Sequence, residues 1–65
     1  MTKFVYLLWN TDERRVLLIA SSLERAQQEF RQTWLFNGTW TFNADLDIWE
    51  DDDGEDYIER REVLQ

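Results

Sequence analysis

The chain has 65 residues, seven Lys+Arg against fourteen Asp+Glu for a formal charge of −7, and no His, Cys or Pro. That is enough for one small domain over residues 1–65, and it leaves no material for a zinc finger, a thiol nucleophile, a histidine base or a disulfide framework. Hydrophobic residues at 43% and aromatics at 15%, four of them Trp, are too many for a disordered acidic tail, so a packed core is expected.

The run Lys3-Phe4-Val5-Tyr6-Leu7-Leu8-Trp9 is rich in β-formers and predicts a first strand. Residues 10–15 are polar turn formers, and Val16-Leu17-Leu18-Ile19-Ala20 predicts the hairpin partner. Both strands are apolar on both faces, a pattern of strands covered on two sides or of a sheet that meets another molecule. One helix can cover only one face, so the face assigned to Tyr6, Leu8, Leu17 and Ile19 is a surplus that a homodimer would bury.

A helix comes next. Ser21 or Ser22 can cap it, and Ser21 with Glu24 has the spacing of a capping box. Leu23, Ala26, Phe30 and Trp34 fall on one stripe, which is the pattern of a core-facing helix side. The helix is expected to end between Thr33 and Leu35, with Asn37-Gly38 supplying a turn. A competing local reading makes residues 36–39 a type I′ hairpin turn, which would shorten the helix and add a small strand at 33–36.

Residues 40–49 alternate. Trp40, Phe42, Ala44, Leu46 and Ile48 share one face, and Thr41, Asn43, Asp45, Asp47 and Trp49 the other. This predicts a third strand with a core face and an acidic face. An acidic turn at 51–56 then leads into a fourth strand at 57–64, antiparallel to the third. The expected architecture is α+β: a four-stranded antiparallel sheet with one helix packed on one face, in the order ββαββ.

Charge is uneven along this plan. Residues 1–43 hold five basic and four acidic side chains; residues 44–65 hold two basic and ten acidic ones. Such an asymmetry repels nucleic acid and anionic membranes and attracts basic surfaces. The longest apolar run is the six residues 4–9, far short of the roughly 20 that span a bilayer, and no leader pattern precedes it, so a cytoplasmic location is expected.

The acidic turn invites comparison with a calcium loop. Placing Gly54 at the sixth position sets Asp51 and Asp53 at the third and fifth, but Trp49 and Arg60 then occupy the anchoring first and twelfth. No metal or other cofactor is expected. Acid–base chemistry needs one carboxyl group in an apolar cleft beside an ionised one, and these acids crowd a loop and an outward strand face. Ser21 and Ser22 have no base, and two glycines make no phosphate loop, so no enzyme is expected. Lys3, Arg14 and Arg15 share the N-terminal half with several aromatics, but the net charge opposes direct nucleic-acid binding.

The acids can instead act as a surface. Same-face residues on a strand stand about 6.6–6.8 Å apart, close to the spacing of phosphates along one nucleic-acid strand. Asp45 and Asp47, continued by Glu50, Asp51, Asp52, Asp53, Glu55 and Asp56, would form a row of negative charge, with Trp49 as an aromatic anchor. The same acids would also serve as a solubility device and an edge-strand guard.

With Phe4-Val5-Tyr6-Leu7-Leu8-Trp9, a second apolar strand entering Ser21-Ser22-Leu23-Glu24-Arg25-Ala26, and an acidic strand pair at the end, the chain resembles a loose family of small bacterial and phage proteins of unknown function. In composition it is also similar to acidic nucleic-acid mimics, including anti-CRISPR and anti-restriction proteins. That resemblance implies a non-enzymatic, phage-type inhibitor occupying a basic nucleic-acid-binding groove of a host defence complex.

Overall fold

The two N-terminal apolar runs pair as their composition predicts, as β1 (Lys3–Asn10) and β2 (Arg15–Ala20), in a computed structural model that describes residues 3–63. After α1 (Leu23–Trp34) come β3 (Trp40–Asn43), β4 (Ile48–Asp51) and β5 (Asp56–Val63). All pairings are antiparallel, and the sheet order is β2-β1-β5-β4-β3. The four-stranded ββαββ expectation is therefore corrected to five strands and one helix, β-β-α-β-β-β, within the same α+β class. Leu64, placed in the last strand by sequence, lies outside the described residues.

The extra strand arises because the alternating segment 40–49 does not run straight. Asn43 turns its side-chain Oδ1 back to accept from the backbone N–H groups of Asp45 (3.0 Å) and Leu46 (3.3 Å). Asp47 takes the left-handed conformation, φ 55°, which Asp tolerates better than most residues. Residues 44–47 thus become a turn, and β3 and β4 fold into a hairpin. The turn also inverts the phase: Phe42 lies opposite Trp49 and Trp40 opposite Asp51, so Trp49 and Asp51 turn inward while Ile48 turns away.

The core lies between α1 and the sheet face that carries Leu8 and Ile58. These two are fully buried and directly opposite each other in the β1–β5 pair, joined by Ala20, Ala26 and Phe30. A bulge in the β1–β2 pairing beside Leu8 lets Leu17 and Leu18 both pack on this cluster. Tyr6, Leu8 and Leu17 are consequently interior or half-buried against the helix side. Of the four residues assigned to a dimer face, only Ile19 lies on the opposite face, paired with Leu7 and 62% exposed. That face largely closes on itself. Leu7 is buried there, next to the stacked rings of Trp9 and Tyr57 (6.2 Å), and the Trp9 indole donates to Glu59.

Ser22, not Ser21, is the helix cap: its Oγ accepts from the Arg25 N–H at 3.1 Å, so Arg25 stands where a capping box needs Glu. The helix reaches Trp34, which excludes the alternative strand at 33–36, and it stops at Leu35 in the left-handed conformation, φ 54°. Leu35 is 81% exposed, so its side chain gains little packing to offset that backbone. Leu35→Gly is expected to raise stability by about 0.5–1 kcal/mol, seen as a higher urea midpoint with an unchanged slope.

Candidate acidic pocket between two hairpin tips

The β1–β2 turn and the β4–β5 turn meet at one end of the sheet. Thr11 joins them, its backbone N–H donating to the Glu55 carbonyl at 2.8 Å and its hydroxyl to the same oxygen. Asn10 holds both: its Oδ1 accepts from the Glu13 N–H at 2.8 Å, and its Nδ2 donates to Asp56 at 3.0 Å. Acids distant in sequence, Asp12 and Glu13 on one side and residues 51–56 on the other, therefore share one end of the molecule.

Asp51 organises its own turn. One carboxylate oxygen accepts from the Glu55 N–H (3.0 Å), the other from the Asp56 N–H (3.2 Å), and its carbonyl accepts from Gly54 N–H (3.2 Å). Gly54 supplies the positive φ of 76° that this tight return needs. Asp51 and Asp56 are both buried. Burial, with the neighbouring carboxyl groups of Asp51 and Glu55, pushes Asp56 up from 3.8 to about 6, against the lowering effect of the Asn10 hydrogen bond.

Beside this pair lies an open cavity of about 300 Å³. Phe30, Trp34 and Phe36 line it together with Glu13, Asp51, Asp53, Glu55 and Asp56. The aromatic rings are themselves packed, with Phe30 centred 5.2 Å from Trp34 and 5.1 Å from Phe36. Arg15 also reaches the cavity but forms an ion pair with Glu13. Among the described residues, no ion pair engages Asp12, Asp51, Asp52, Asp53, Glu55 or Asp56.

The row of carboxylates expected from sequence is divided. Asp52, Asp53 and Glu55 stand exposed at the hairpin tip, as anticipated. Asp51 and Asp56 point inward. Asp45 and Asp47 sit in the β3–β4 turn, and Asp47 pairs with Arg60 at 3.3 Å, four residues along β5 from Asp56, or about 13 Å. Glu50 is half-buried and accepts from Asn43 Nδ2 at 2.9 Å. Trp49 is not an outward anchor: it packs on Phe42 (4.9 Å) and Tyr6 (6.0 Å) on the helix side. The phosphate-like spacing of Asp45 and Asp47 fails because neither residue is in a strand.

Asn10, Glu13, Phe30, Trp34 and Phe36 did not figure as site residues in the sequence. The one signal was Trp34, the last member of the helix stripe, 46% exposed in the structure at the end where the helix stops covering the sheet. Among the described residues, no helix is long and apolar enough to cross a membrane. Compared with known protein families, curated proteins and solved structures, the chain matches none.

Proposed function

We propose that this is a non-enzymatic binding protein whose acidic end engages a basic surface of another protein. The observation that carries the reading is the convergence of two hairpin tips, which puts Asp12, Asp52, Asp53 and Glu55 in solvent together without a cationic partner among the described residues. Opposite charges concentrated on rigid turns speed encounter and select basic partners. A basic nucleic-acid-binding groove of a host defence complex is the partner this proposal favours. The reading does not rest on a phosphate-like row, since the acids form a cluster at one end.

The triple reversal of Asp52, Asp53 and Glu55 to Lys tests it. Asp51 is left in place because it holds the turn. The variant is expected to keep the parent's unfolding free energy, from urea melts, within about 0.5 kcal/mol and to lose capture of basic proteins from a lysate at low salt. Parental binding should also fall steeply as salt rises. Equal capture by parent and variant would sink the proposal.

A further inference from the structure

We propose that the cavity between the hairpin tips and the end of α1 is a socket for a single arginine side chain presented by the basic partner. This rests on the binding role proposed above and names the group that anchors it.

Two kinds of side chain line one space of about 300 Å³. Of the aromatic side chains Phe30, Trp34 and Phe36 in this lining, Phe30 is buried and Trp34 offers an exposed ring, and a cation over such a face is held by the ring quadrupole. The same lining holds five carboxylates against one guanidinium, that of Arg15, which is bound to Glu13. The deeper acids, Asp51 and Asp56, are buried without a cation of this chain among the described residues.

The chemistry favours a guanidinium over a metal ion. Both oxygens of Asp51 already accept backbone N–H groups, which holds the carboxylate in place and leaves only its remaining lone pairs. Among the described residues, no group of three or more acids could hold a metal ion. A planar guanidinium uses what remains: its face stacks on Trp34 while its N–H fork reaches carboxylate oxygens. A compact ammonium lacks the flat face, and a neutral side chain gains nothing from the acids.

The test is an NMR titration of the full chain with N-acetyl-arginine amide, following the Trp34 indole and the Glu55 and Asp56 amides. The citrulline counterpart, equal in shape but uncharged, is the control, and an unstructured hexa-arginine peptide probes the broader reading. Saturable shifts at these three positions with the arginine amide, and none with citrulline, are expected. Trp34→Ala should weaken the arginine amide about tenfold. Trp34 is half exposed, and an unchanged amide spectrum elsewhere verifies that the variant is folded. If hexa-arginine binds in a salt-dependent way but the arginine amide leaves the three signals in place, or Trp34→Ala binds both probes as the parent does, the socket is wrong and the acidic surface stands. If hexa-arginine fails to bind at all, both readings fall.

Discussion

Ile58→Ala is expected to cost 2–5 kcal/mol, roughly the range for emptying a fully buried aliphatic site, and to leave a large unfolded fraction at 37 °C. Ile58 has no exposure and stands opposite Leu8, equally buried, at the centre of the sheet where the longest strands pair. A domain of this size has about 3–10 kcal/mol in total, so one cavity consumes much of the margin. Ile19→Ala removes the same atoms from the open face, where Ile19 is 62% exposed, and should cost less than about 1 kcal/mol. Urea melts of the two variants give the comparison. Similar losses would mean that the face carrying Ile19 is covered in solution.

Asp56→Asn is expected to stabilise the protein at pH 7.5. Folding raises the Asp56 pKa from 3.8 to about 6, through burial first and then the adjacent acids. Between these values the folded state keeps a proton that the unfolded chain has released. The group's favourable contribution is therefore complete below about pH 4 and is lost as pH rises through 6. Above that, an ionised Asp56 sits buried beside Asp51 on β4 and Glu55 in the turn, with Asn10 of β1 the one group that favours its charge. The penalty is on the order of 2–3 kcal/mol. An amide at this position keeps the acceptor for Asn10 and offers a donor towards Asp51, as the protonated acid does. The variant should gain about 1–3 kcal/mol over the parent at pH 7.5 and nothing at pH 4, by urea melts at both. A variant weaker than the parent at pH 7.5 would show that the ionised carboxylate holds the strands together.

These two positions also show how far local pattern reaches. Ile58 belongs to a run whose composition marks a strand, and its burial follows once that strand pairs with β1. Asp56 opens the same strand, yet nothing in an acidic run separates the two carboxylates that turn inward from the three that stay in water. Asn43 and Asp47 hid in an alternating pattern because turn formers and outward polar residues are the same residue types; the side-chain bonds of Asn43 decided the outcome. One four-residue turn then reversed the phase of Trp49 and Asp51.

The amino-acid sequence by itself determined the N-terminal hairpin, the amphipathic helix and the acidic C-terminal third, since each depends on composition and spacing within a dozen residues. Tertiary structure decided which face each strand buries, that five strands form rather than four, and that Glu13 and Asp53 meet the same cavity. Strand order β2-β1-β5-β4-β3 puts the first and last strands side by side, and that pairing alone brings the two hairpin tips together. Contacts between positions more than 40 residues apart are set by which long strands bury the most apolar surface against each other, a property of the assembled sheet that no local window contains.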